Sequence, residues 1–211
     1  MDLPGQPVGV AARGGADAPL AVVATTRGIV VVRGDRLASQ TPETAWSATC
    51  VALSPDGSMV AVGGKEDTKI HLYAVQDDDT LKEEGEIAGH RGALTSVAFS
   101  PDGALLAAGD ANREVCVWNV ASREALVQGA WVFHSTRIMS VAFSPSGSHV
   151  ASGSLDEHIF LWEVPAEKGA ASKRTQYPSA HRDGTNCVAF VDDSHLASVG
   201  QDGAAVLWKL D

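Results

Sequence analysis

Two short blocks recur along this chain in the same register, and together they leave little choice of fold. The first is a turn: Ser54-Pro55-Asp56-Gly57, Ser100-Pro101-Asp102-Gly103 and Ser144-Pro145-Ser146-Gly147. A short apolar run precedes each one: Cys50 to Leu53, Ser96 to Phe99 and Ser140 to Phe143. A further run, Cys187 to Phe190, leads into Asp192-Asp193-Ser194 instead. The second block is Ile70-His71-Leu72-Tyr73, Val115-Cys116-Val117-Trp118, Ile159-Phe160-Leu161-Trp162 and Ala205-Val206-Leu207-Trp208. Its aromatic end recurs after 45, 44 and 46 residues. Self-similarity at a fixed period marks an architecture in which one small unit cannot bury its apolar face alone and must stack on its neighbours.

Each copy reads as short strands joined by tight turns. Pro fixes φ, Asp bonds its own backbone, and Gly tolerates the φ > 0 that such turns require. The flanking runs are β-branched and aromatic, and too short for helices. A period of about 44 residues holding about four strands is the signature of a β-propeller blade. A weaker first unit precedes the others, with candidate strands at Pro7 to Ala12, Leu20 to Thr25 and Gly28 to Val32. Val32 lies 41 residues before Tyr73, where the aromatic is expected. The expectation is therefore all-β: one propeller segment over residues 1–211, with five blade-like units near 6–34, 47–76, 93–121, 137–165 and 185–210. Five units leave either a tight five-bladed ring or an open arc, and the expectation is a partial chain of a larger propeller, the seven-bladed kind needing about 300 residues. The final unit ends just after Trp208 with no outer strand, and Pro7 to Ala12 are candidates to lend one from the other end.

Two units add a polar set at fixed spacing: His134, Ser152, Asp156 and Trp162, then His181, Ser198, Asp202 and Trp208. In both, the Ser lies four residues before the Asp and the Asp six before the Trp. The pattern resembles the WD-repeat family. There the imidazole, hydroxyl, carboxylate and indole N–H form a buried chain of hydrogen bonds that locks a blade, and the resemblance implies that role for these eight residues. The physics agrees, because a buried polar group is costly unless paired and a satisfied network is rigid. Elsewhere the set decays. His90 stands before Ala108, Asn112 and Trp118, while Thr44, Gly63, Asp67 and Tyr73 occupy the equivalent places one unit earlier.

A Ser, His and Asp set also suggests a hydrolase, but this one recurs at the blade period, which a single active site has no reason to do. No G-x-S-x-G elbow is present. The seven histidines include no H-E-x-x-H and no Cys/His pair at metal spacing, so neither a metal nor another cofactor is expected. Gly63-Gly64 reads as a strand-end pair and not as a phosphate-binding loop.

With 16 basic against 26 acidic residues and a net charge of -10, the chain lacks the basic stripe a nucleic-acid binder needs. The acidic run of Asp77, Asp78, Asp79, Glu83, Glu84 and Glu86 is either a solvated loop or a docking patch for a basic partner. Cys50, Cys116 and Cys187 lie in apolar runs, where a thiol behaves as a small hydrophobe, and no disulfide framework is expected. No stretch has the length of a membrane span, and the start shows no basic and apolar targeting segment. A soluble cytoplasmic protein is the expectation. Trp46 and Trp131 fall outside the repeated aromatic position, as interface anchors or as packing between blades. Trp131 and Arg137, the latter in the loop entering an inner strand, are the candidate partner contacts.

A closer resemblance runs from about residue 20 to the end. Thr26-Arg27-Gly28-Ile29-Val30-Val31-Val32-Arg33-Gly34 and Leu81-Lys82-Glu83-Glu84-Gly85 are its more specific segments. Val132-Phe133-His134 with Arg137-Ile138, and Ala180-His181-Arg182, continue it. These resemble the C-terminal propeller of the actin-interacting protein 1 family. That family has two linked seven-bladed propellers and binds actin filaments with cofilin, promoting filament disassembly. The resemblance implies actin and cofilin as partners, a cytoskeletal location, and a match to the last five blades of the second propeller. No binding residue of the family is carried over to this chain. The competing expectation is a generic WD-repeat adaptor in a multiprotein complex, for instance a ubiquitin ligase or a chromatin assembly.

Overall fold

The structure, a computed structural model, describes residues 3–14 and 18–210. Met1, Asp2, Gly15, Ala16, Asp17 and Asp211 lie outside the described residues. Among those described, every regular element is a strand, and the strands form five antiparallel sheets. The first sheet holds β1 (Pro7–Arg13), β2 (Leu20–Thr25), β3 (Gly28–Arg33) and β4 (Arg36–Gln40). The second holds β5 (Ala48–Leu53), β6 (Met59–Gly64), β7 (Ile70–Val75) and β8 (Leu81–Ile87). The third holds β9 (Leu94–Phe99), β10 (Leu105–Asp110), β11 (Val115–Asn119) and β12 (Ala125–Trp131). The fourth holds β13 (Ile138–Phe143), β14 (His149–Ser154), β15 (Ile159–Glu163) and β16 (Arg174–Tyr177). The last has three strands, β17 (Thr185–Asp192), β18 (His195–Gly200) and β19 (Ala205–Lys209). Within each sheet the strands pair in chain order, the meander of a propeller blade.

The chain divides into two compact units, Met1–Val97 and Ala98–Asp211, the division falling inside β9. In the first unit β5 packs on β1 and β2, and the core joins Val22, Ala24 and Ile29 to Ala48, Val60, Val62 and Tyr73. In the second, β13 packs on β10 and β17 on β13 and β14. One core there unites Val115, Val117, Trp131, Ile138, Phe160 and Trp162, and another unites Ala151, Ile159, Val188 and Leu196. Each buried Val, Leu, Ile or Phe side chain contributes roughly 1.5–3 kcal/mol over its exposed state.

Middle strands are covered on both faces, so they read as nearly continuous apolar runs without alternation. β6, β10 and β14 are buried along almost their whole length. The outer strands differ. β4, β8 and β16 are polar and largely exposed, with sequences RLASQ, LKEEGEI and RTQY. These strands and β12 lie wholly or mainly beyond the unit bounds expected from sequence, which stop after the third strand. Pro7 to Ala12 do not lend an outer strand to the last unit. They form β1, which pairs with β2 in register Val10↔Val23 and Ala12↔Ala21, and the β17–β19 sheet keeps its third strand as an edge.

The repeated turn is built as its residues require. Gly57 N–H donates to Ser54 C=O at 2.8 Å, and Gly57 adopts φ of 77°. Ser54 Oγ donates to Asp56 Oδ1 at 2.5 Å and accepts from Met59 N–H at 2.9 Å. The same bonds recur from Ser100 to Asp102 and from Leu105 N–H to Ser100. At the third copy Ser146 replaces the Asp, and its N–H donates instead to Asp193 Oδ1 at 2.9 Å.

Candidate functional site

The polar set of the fourth sheet comes together as one buried chain. β14 supplies Ser152, β15 supplies Trp162, the turn between them supplies Asp156, and the connection before β13 supplies His134. Trp162 Nε1–H donates to Ser152 Oγ at 2.8 Å, and His134 Nε2 lies 2.8 Å from the same oxygen. His134 Nδ1 lies 2.9 Å from Asp156 Oδ2. The carboxylate also accepts from Ser135 N–H at 2.8 Å and His158 N–H at 3.1 Å. Indole can only donate, so the Ser152 hydroxyl hydrogen is left for His134 Nε2, and Nδ1–H meets the carboxylate. Each polar group of the chain is then hydrogen-bonded. Burial is the largest influence on Asp156 and pushes its carboxyl up, but the hydrogen bonds from His134 and from the two backbone N–H groups outweigh it. The net position is below the ordinary carboxylate value.

The last sheet repeats the arrangement more openly. Trp208 Nε1–H donates to Ser198 Oγ at 2.7 Å, His181 Nε2 lies 2.8 Å from Ser198 Oγ, and His181 Nδ1 lies 3.0 Å from Asp202 Oδ1. Ala204 N–H, the strongest influence, holds Asp202 below its ordinary value, with help from His181 and Arg182 N–H. The Asp156 side chain is 3% exposed and that of Asp202 is 22%. Ser152 is 0% exposed, and the neighbouring indole and imidazole occupy its oxygen, so it has no open approach for a substrate.

Sequence reasoning missed how the second sheet compensates for its decayed set. Asp67 remains, but Gly63 and Thr44 stand where Ser and His would be. His71 on β7 takes over, with Nε2 2.7 Å from Asp67 Oδ2. Trp46 stacks flat on it, ring centroids 3.7 Å apart and planes 6° apart. The available signal was a repeat carboxylate whose usual His and Ser partners are replaced, with a histidine four residues further on.

Trp131, which the sequence leaves as either a partner contact or packing between blades, is only 3% exposed. Its ring packs into the core of the second unit instead, because it stacks on Trp162. Arg137 is exposed in the connection leading to β13, where its backbone C=O accepts from Leu155 N–H. No cluster of three or more His, Cys, Asp or Glu suited to a metal occurs among the described residues. No helix among them is long and apolar enough to cross a membrane.

The chain is 41% identical over 208 residues to the 66 kDa stress protein of Physarum polycephalum, covering 99% of this chain and 33% of that one. It is 38% identical over 190 residues to Actin-interacting protein 1-2 of Arabidopsis thaliana, covering 90% and 30%. Actin-interacting protein 1 of Caenorhabditis elegans is 32% identical over 136 residues, 64% of this chain and 21% of that one. The chain thus spans about a third, or less, of these relatives. Among solved structures, a chain of the Chaetomium thermophilum Polycomb Repressive Complex 2 superposes with a TM-score of 0.80 at 20% identity, covering 99% of this chain and 52% of that one. At that identity the likeness concerns the fold. The family model "WD domain, G-beta repeat" matches residues 36–73, 81–119, 128–163 and 172–209. Each match begins on or beside the outer strand of one sheet and ends on the third strand of the next, so the sequence repeat ties successive blades together. On this match, the chain belongs to the WD-repeat family.

Proposed function

We propose that this chain is a non-catalytic protein-interaction module that binds actin filaments together with cofilin and promotes their disassembly in the cytoplasm. The observation that carries the reading is the 38% identity to Actin-interacting protein 1-2, which extends over 90% of this chain. The burial of the Ser-His-Asp sets supports an architectural role for them. Rigid sheets then leave the connecting loops to meet partners. Arg137, exposed in such a loop, is the proposed contact.

Filament co-sedimentation of the 211-residue chain, with and without cofilin, tests the reading. The expected result is a loss of pelleted actin that requires both cofilin and this chain. Unchanged pelleting with a folded sample would overturn it for this chain. Recovery of other stable protein partners without actin would then favour the adaptor role.

A further inference from the structure

A groove of about 650 Å³ lies in the second unit, between β12 and the long connection from β15 to β16. Its floor is the Trp131 and Trp162 pair, and Phe133 stands at its rim. Phe133 is 56% exposed, unusual for a ring that adjoins a buried aromatic stack. The Arg174 guanidinium lies 3.5 Å from the Phe133 ring centroid and 5.2 Å from that of Phe160. Lys168 completes the rim.

The charge of the groove runs against that of the molecule. The chain carries a net charge of -10, yet the only charged residues lining the groove are Lys168 and Arg174, both cationic. Both are exposed, and among the described residues neither has a carboxylate within ion-pair distance. A guanidinium stacked on an aromatic ring is held in place with its N–H edge free to meet a carboxylate fork. Aromatic and Arg side chains in a partly desolvated pocket are the usual anchors of protein recognition. The volume falls within the roughly 300–1,000 Å³ of ligand sites, room for a few side chains and not for a folded domain. Two cations on a strongly acidic surface are too few to hold a polyphosphate backbone by counterion release.

We propose that this groove docks an acidic peptide segment of a partner protein. The segment's aromatic side chain lies over the Trp131 and Trp162 floor, and its flanking Asp or Glu carboxylates meet Arg174 and Lys168. The site is independent of the actin reading, since it rests on the groove's own shape and charge.

The test is fluorescence anisotropy of a labelled short peptide, Trp-Phe flanked on both sides by Asp and Glu, titrated with the full chain at low salt. A counterpart with Lys in place of every acid is the second probe. The acidic peptide is expected to bind at least about tenfold more tightly than the basic one, and to weaken as salt rises. R174E, K168E and F133A should each weaken it several-fold, about tenfold for R174E. R182E is the charge-matched control, since Arg182 is exposed in the same unit away from the groove, and it should leave affinity unchanged. Circular dichroism confirms that each variant folds. Equal binding of both peptides, or an unchanged R174E, would overturn the proposal. So would tighter binding of a thymidine oligonucleotide that R174E abolishes, which would assign the groove to nucleic acid. Self-association of the chain that R174E abolishes, without peptide binding, would assign it to a second copy and equally overturn the proposal.

Discussion

Trp131 lies nearly parallel to Trp162, with ring centroids 5.0 Å apart and planes 15° apart. The pair joins the end of β12 in the third sheet to β15 in the fourth, so one stack couples two blades of the second unit. W131A removes a buried indole and the stack on the ring that anchors the polar chain. It is expected to destabilise by about 3–5 kcal/mol. Urea unfolding of W131A beside W131F measures this, and W131F should retain much of the loss. Equal stability of W131A and the parent chain would remove Trp131 from the core.

Ser152 Oγ is shared by Trp162 and His134. S152A orphans both nitrogens in a site that water does not reach, at an expected cost of about 2–4 kcal/mol. S198A makes the same change in the last sheet, where Trp208 is half-buried and Asp202 is partly open to solvent, so its cost should be smaller. The two unfolding midpoints decide the point. If S198A were the more damaging, burial would not be what sets the strength of these networks.

The strong periodic signals in the sequence concern the strands that face the core. Tyr73, Trp118, Trp162 and Trp208 mark the third strand of four of the five sheets, and Tyr73, Trp162 and Trp208 pack there with apolar residues of the preceding sheet. The outer strands left no such mark. β8 reads LKEEGEI, β16 reads RTQY, and neither must bury an apolar face, so their sequences are free to look like loops. The stack of Trp46 on His71 and the groove over Trp131 were hidden for a different reason. The groove brings together residues of two successive sheets and the stack joins a connection to a strand of the sheet that follows, and a repeat aligned on itself compares equivalent positions without showing which different positions touch.

Acid should weaken the fold through its turns. Hydrogen bonds from Ser54 and then Ser58 pull the Asp56 carboxyl down to about 2, from 3.8. A value lower in the folded than in the unfolded state means stabilisation that is present above the unfolded value and lost as pH falls through the folded one. For Asp56 the loss therefore falls between about pH 4 and pH 2. Asp102, bonded first by Ser100 and then by Ala104 N–H, is shifted in the same direction. D56N should be less stable than the parent at neutral pH and lose less on acidification. Urea midpoints across that range, parallel for both proteins, would show that Asp56 does not contribute.

The third turn has Ser146 where its sisters have Asp, and restoring the Asp looks like a stabilising change. The structure argues otherwise. Ser146 N–H donates to Asp193 Oδ1, and bonds from Ser146 hold Asp193 below its ordinary value. A carboxylate at residue 146 would face that of Asp193 at short range. S146D alone should lower stability at neutral pH, and S146D with D193N should recover it. Stabilisation by S146D alone would show that the two carboxylates do not interact.

Gly63 presents the same question inside the first unit. It occupies the place of Ser152 and Ser198, so a serine there matches the family pattern. Its backbone is not in the left-handed region, and the obstacle is space. A Cβ on Gly63 would lie 2.5 Å from Cys50 Sγ and 2.6 Å from Leu94 Cβ, both closer than atoms approach without something moving. The new hydroxyl would also lack the partners Ser152 has, since Thr44 and Tyr73 stand where His134 and Trp162 do. G63S is therefore expected to destabilise by about 1–3 kcal/mol, against the gain usually expected of a consensus change. G63S with C50A should recover only part of the loss, because Leu94 still blocks the site. Full recovery in the double variant would place the whole obstacle on the Cys50 thiol.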